Sequence, residues 1–270
     1  MQVAATGVGP WDALIREGKS KAAPPPPLTL GSDLSGVVEA VGLGVTEFKN
    51  GDEVYGVTNP QFCGANAEYA IAIATMIAVK PLGITDIEAA SVPVVAVTAW
   101  QMLFDYAHAE PGQTVMILGA AGNVGAYAVQ FAARAGLHVV AVVTKKETDY
   151  VRSLGAEIVL DSQIGAFEDS APPVDVLIDT VGGETRERSL GSLKLGGVLV
   201  SVVSTDPLPS RPDVRTVFFY VEVTTERLNT ISKLFDSAEL QPRVGSVQDK
   251  SCGGHSVVTS LAPRPERLCP

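Results

Sequence analysis

Short apolar runs alternate with stretches of helical period through the middle of the chain. The runs at 114–118, 138–143, 157–160, 174–180, 198–203 and 217–223 are rich in Val, Ile and Leu, as strands buried on both faces are. Between them, apolar residues recur at helical spacing over 124–135, 147–154 and 184–193, and again over 225–236 at the end. Gly136 and Gly155 stand where helix C-terminal glycines belong. Alternating strands and helices predict an α/β unit with a doubly wound parallel sheet.

The pattern upstream is different. Segments 37–41 and 53–57 read as short strands joined through the turn Asn50-Gly51-Asp52, and 67–73 alternates in part like a third. Pro24 to Pro27 make a stiff loop, either a ligand for SH3-type modules or, more simply, a rigid surface connection. Thr85-Asp86-Ile87-Glu88 fits a capping box, and a helical stretch to about His108, interrupted at Pro93, follows it. After Val247 periodicity is lost and prolines accumulate, which predicts disorder. The expected organisation is a β-barrel-type domain over 1–84, a nucleotide domain over 85–236, and a return segment with an aberrant, disordered tail over 237–270.

The first strand of the α/β unit runs straight into Gly119-Ala120-Ala121-Gly122-Asn123-Val124-Gly125, at the start of a helix. Strand, glycine turn and helix open a dinucleotide-binding βαβ unit. Pyrophosphate must approach the backbone N–H groups at the helix start, and side chains at the turn would hold it away. Ala121 stands where the middle glycine of the usual fingerprint would be; the competing reading is a tight turn with no ligand. The end of the next strand reads Thr144-Lys145-Lys146, and its first acid, Glu147, comes after them. Two cations with no acid at the strand tip favour NADPH over NADH, unless the lysines are only a solvated helix start.

Composition narrows the options. With 270 residues, 46% of them hydrophobic, the chain can bury a sizeable core in one large or two modest domains. A net charge of −10 argues against nucleic acid as a partner. No apolar run is long enough to span a membrane, and the N-terminus lacks a signal-peptide pattern, so a cytoplasmic protein is expected. Cys63, Cys252 and Cys269 are too scattered for a disulfide framework or a zinc cluster.

Four motifs together, the 119–125 turn, Gly51-Asp52-Glu53-Val54, Gly31-Ser32-Asp33-Leu34-Ser35-Gly36 and Asp179-Thr180-Val181-Gly182-Gly183, resemble the zinc-free medium-chain dehydrogenases/reductases, the quinone oxidoreductase-like family. The likeness runs over roughly 3–247. It implies a GroES-like catalytic domain beside a Rossmann domain, NADPH, a homodimer, and hydride transfer to a quinone or an α,β-unsaturated carbonyl. It also places Thr98 near the nicotinamide half of the cofactor. Val181, Gly182 and Gly183 would border its ribose and nicotinamide, as would Val203 and Ser204. Phe218, Phe219 and Tyr220 shape a cleft, form a dimer edge, or pack in the core.

By the same likeness, the zinc-ligand positions of the alcohol dehydrogenases fall at Gly9, Ser32 and near Val94, none of which can hold the metal. The family's proton-donor positions fall at Gly9 and Leu14. Tyr55 is then the candidate catalytic donor, or else a half-buried strand tyrosine with solvent protonating the enolate. The chain begins where the family pattern is already under way, so a truncated GroES-like domain is expected. Two other functions compete with a quinone or alkenal reductase: a catalytically impaired NADPH-binding protein, and an enoyl reductase of the polyketide or fatty-acid type.

Overall fold

The computed structural model describes residues 1–164, 167–203, 211–249 and 256–259. It forms two compact units, Met1–Val97 with Glu222–Pro270, and Thr98–Val221. In chain order the first elements are β1 (Gln2–Val8), α1 (Pro10–Arg16), β2 (Asp33–Val37), β3 (Glu53–Val57), β4 (Ile77–Val79), α2 (Asp86–Ala90) and α3 (Pro93–Trp100). Then come β5 (Thr114–Leu118), α4 (Asn123–Arg134), β6 (His138–Val143), α5 (Thr148–Ser153), β7 (Ile158–Asp161) and β8 (Val174–Asp179). The last are α6 (Gly183–Ser189), β9 (Leu193–Ser201), β10 (Arg215–Phe218), α7 (Thr225–Asp236), β11 (Ser246–Asp249) and β12 (Ser256–Thr259).

The second unit is the expected doubly wound sheet, with six strands in the order β10-β9-β8-β5-β6-β7. All its pairings are parallel. Met116, Leu118, Val140, Val142, Leu177 and Leu199 belong to one buried cluster. Each such side chain contributes about 1.5–3 kcal/mol through burial, which is why these runs tolerate almost no polar residue. The chain winds outward from β5 through β6 to β7 and then returns to β8 on the other side of β5. That reversal opens a crevice at the carboxyl ends of β5 and β8, where nucleotides bind in sheets of this kind. The last strand ends at Phe218, short of the expected 223.

The first unit holds a six-stranded sheet in the order β11-β12-β1-β2-β3-β4. Its β1 and α1 form from segments that carry no strong period in the sequence. The strand expected at 37–41 is instead Asp33–Val37, because Gly51 N donates to the Val38 carbonyl and Val38 N to that of Asp52, closing the chain into a turn. Segment 67–73 is not a regular strand; it touches β1 through the single bridge Gln2–Tyr69, with Ile71 left 91% exposed. The expected disorder of the tail is corrected for two stretches: β11 pairs antiparallel with β12, and β12 lies parallel to β1. The remaining residues beyond 249 lie outside the described ones.

The domain boundaries expected at 84 and 236 also move. Helix α2 belongs to the first unit because Asp86 accepts from Ser35 Oγ at 2.7 Å and from Lys80 Nζ at 2.9 Å. Helix α7, periodic as expected, packs on β4 rather than in the nucleotide unit. Thr225 Oγ1 donates to the carbonyls of Ala74 (3.1 Å) and Ile77 (2.6 Å). The capping box is present as read: Glu88 N donates to Thr85 Oγ1, and Thr85 N donates to Glu88 Oε2.

Candidate functional site

The glycine turn follows β5 directly. Gly119 adopts φ +70°, and a Cβ there would come within 2.7 Å of Thr180 Oγ1 and Val181 Cγ2. Thr180 is held in place by its own bond to the Leu118 carbonyl, at 2.7 Å. Gly122 precedes α4, and no side chain caps that helix. The first-turn amides of Asn123, Val124 and Gly125 therefore lack the side-chain acceptor that closes most helix starts, as an anion site requires. Gly125 is where α4 meets the turn: a Cβ would stand 2.2 Å from the Gly119 carbonyl oxygen.

A crevice of about 340 Å³ opens above this turn. Gly119, Ala121 and Gly122 form its floor, with Val142, Val143, Thr144 and Glu147 on one side and Thr180, Val181 and Thr185 on the other. Ala120 is buried beneath the turn. Of the other expected cofactor residues, Val181 and Gly182 stand on a turn organised by buried Asp179, whose Oδ1 accepts from Val181 N (3.0 Å) and Gly182 N (2.7 Å). Its Oδ2 accepts from Ser201 Oγ at 2.7 Å and lies 3.8 Å from the buried Arg186 guanidinium. Val203 follows β9 and donates to Ser201 Oγ; Thr98 is buried on α3; neither lines the crevice. Ser204 lies outside the described residues.

The strand tip differs from expectation in one respect. Lys145 and Lys146 are exposed and do not line the crevice, whereas Glu147 does. Its carboxylate turns back to accept from Thr144 Oγ1 at 2.7 Å and Thr144 N at 3.2 Å. The signal was legible: Thr144-Lys-Lys-Glu147 has the same hydroxyl-x-x-acid spacing as Thr85–Glu88.

In the first unit, Gly9, Ser32 and Val94 are linked by a chain of contacts. The Trp11 ring folds over Gly9, and its Nε1 donates to Ser32 Oγ at 3.2 Å. Ser32 Oγ donates to Asp33 Oδ2 at 2.6 Å, and Val94 N to Asp33 Oδ1 at 2.8 Å. Burial pushes the Asp33 carboxyl up to about 7, with the nearby Asp12 charge adding to the rise. Burial also raises Asp12, against the backbone N–H bonds it accepts from Gly9 and Gly31. No cluster of three or more metal-ligating side chains occurs among the described residues.

Tyr55, the candidate donor, is corrected. It is fully buried, and its hydroxyl donates to the Leu228 carbonyl at 2.9 Å and lies 2.9 Å from Ser232 Oγ. It ties β3 to α7 and has no open face to a substrate.

The family model for the alcohol dehydrogenase GroES-like domain matches residues 1–139, and that for zinc-binding dehydrogenases matches 123–230. The chain belongs to the medium-chain dehydrogenase/reductase superfamily, in its quinone oxidoreductase-like family. It is 38% identical over 187 residues to the mitochondrial NAD(P)H oxidoreductase RTN4IP1 of Homo sapiens, covering 66% of this chain and 47% of that one. It is 30% identical over 253 residues to the chloroplastic NADPH-dependent alkenal/one oxidoreductase of Arabidopsis thaliana, covering 90% and 63%. Among solved structures, the quinone oxidoreductase of Coxiella burnetii superposes with a TM-score of 0.84 at 27% identity, covering 97% of this chain and 89% of that one. The chain thus spans about half the length of the mammalian relative. The family is one of oxidoreductases that use a nicotinamide cofactor, and the glycine turn with its uncapped helix fits such a group. No described helix is long and apolar enough to cross a membrane.

Proposed function

We propose that this protein is a zinc-independent reductase that transfers hydride from NADPH to a quinone or an α,β-unsaturated carbonyl. One observation carries the reading: an uncapped helix start and a close-packed glycine turn floor a crevice at the sheet's reversal point. The amides of 123–125 would hold the pyrophosphate, and the Thr180–Val181 turn would border the adjoining ribose. NADPH is preferred over NADH because Lys145 and Lys146 flank the strand tip; the name of the plant relative agrees. When bound, the cofactor supplies the hydride.

Zinc independence rests on what occupies the three ligand positions. Gly9 has no side chain, Val94 has no donor atom, and Ser32 is committed to Trp11 and Asp33. Without a metal to polarise an alcohol, the acceptor must already be electrophilic. With Tyr55 buried, water supplies the proton that completes reduction of the carbon–carbon bond, and the protein contributes binding and orientation.

Oxidation of NADPH, followed by absorbance with the purified chain, tests this. Simple quinones, free enones and thioester-linked enoyl compounds are compared as acceptors. Turnover of quinones or free enones is expected. Turnover of the thioesters alone would replace this reading with an acyl-chain enoyl reductase, and tight NADPH binding with no turnover would leave a binding protein.

A further inference from the structure

Two opposed signals share the turn at 145–147. Outside the crevice, Lys145 and Lys146 are exposed and make no ion pair among the described residues. Inside it, Glu147 is the single charged side chain among the lining residues. A phosphate bound at a strand tip needs N–H and O–H donors together with cations. Both donors of Thr144, its hydroxyl at 2.7 Å and its amide at 3.2 Å, are already engaged by one oxygen of Glu147. The other oxygen, Oε1, accepts no bond among the described residues, so it can take a hydroxyl but only repels an anion.

We propose that Glu147 is a specificity-determining residue that works against the 2′-phosphate, holding the chain's preference for NADPH over NADH well below what Lys145 and Lys146 would otherwise give. This rests on the crevice being the nucleotide site. The carboxylate acts twice: it occupies the Thr144 donors, and it places a negative charge where the phosphate would sit. The unphosphorylated ribose suffers neither effect, because its hydroxyls can donate to Oε1. The Thr144–Glu147 capping box that closes the short turn ahead of α5 is therefore also the element that tunes cofactor choice.

Dissociation constants for NADPH and NADH, measured by fluorescence titration, test this in the wild type, Glu147→Gln and Glu147→Ala. Adenosine 2′,5′-bisphosphate and adenosine 5′-monophosphate are measured alongside, so that the readout does not depend on the nicotinamide end. In both variants the NADPH:NADH affinity ratio should rise about tenfold, with the same direction for the adenosine pair. Damage to the fold would weaken both members of each pair alike and leave the ratio unchanged. An unchanged or falling ratio, with both nucleotides still bound by the wild type, overturns the role of Glu147 alone. Failure of the wild type to bind any of the four overturns the nucleotide site, and this inference with it.

Discussion

Gly125 and Gly119 meet so closely that a Cβ on Gly125 would stand 2.2 Å from the Gly119 carbonyl oxygen. Helix α4 can close on the end of β5 only because Gly125 has no side chain. Overpacking of this kind costs about 1–3 kcal/mol, so Gly125→Ala should lower the melting temperature and weaken NADPH binding together. Gly191→Ala is the control, since nothing lies within 4 Å of its added Cβ. Thermal unfolding of both variants, with and without NADPH, makes the comparison; equal behaviour would remove the close-packing argument.

Tyr55→Phe separates a structural tyrosine from a proton donor. Loss of the bonds to Leu228 and Ser232 should reduce stability by about 1 kcal/mol. Turnover per folded molecule should stay near the wild-type value. Removal of a general acid would instead lower the rate about a hundredfold or more.

Asp33 gives the protein a pH signature. Its folded-state carboxyl is raised to about 7 by burial, while in the unfolded chain it titrates near the ordinary value of 3.8. Between these values the folded state holds a proton that the unfolded state has released. Stability from this group is full below about 4, falls as pH rises toward 7, and levels off above. The slope for one proton reaches about 1.4 kcal/mol per pH unit. Urea unfolding from pH 4 to 8 should show the stability of the wild type falling relative to that of Asp33→Asn across that window. A constant difference would mean that Asp33 titrates alike in both states.

Asp179 holds a turn and a charge together. Asp179→Ala would free the amides of Val181 and Gly182 and leave Arg186, which is 3% exposed, without its buried counter-ion. Removing one partner of a buried pair costs about 3–5 kcal/mol. The variant should unfold at markedly lower urea, and Asp179→Asn, which keeps an oxygen acceptor, should lose less. Equal losses would assign the effect to charge alone.

Local pattern was sufficient wherever one periodic rule governs a segment. The parallel sheet follows from continuous Val, Ile and Leu runs, because a strand buried on both faces has no polar side to hide. The turn at 119–125 follows from glycine, because only a missing Cβ lets backbone approach backbone there. The capping box at Thr85 follows from a three-residue spacing. Each of these is fixed by neighbours within a single turn or strand.

What the sequence alone determined, then, is the nucleotide fold and the position of its glycine turn. Tertiary structure decided the rest, where the deciding partner is remote in sequence. Helix α7 has the same period whichever sheet it covers; the hydroxyl of Tyr55, which lies 173 positions before Leu228, ties it to the first unit. The tail after Val247 has no period of its own; β12 is a strand because it lies along the edge of β1, and β11 because it pairs in turn with β12. Glu147 reads as a residue past the strand tip, yet its side chain folds back to Thr144 and enters the crevice. Spacing along a chain states which residues are neighbours, but a side chain's direction and its partner across the fold are set by packing.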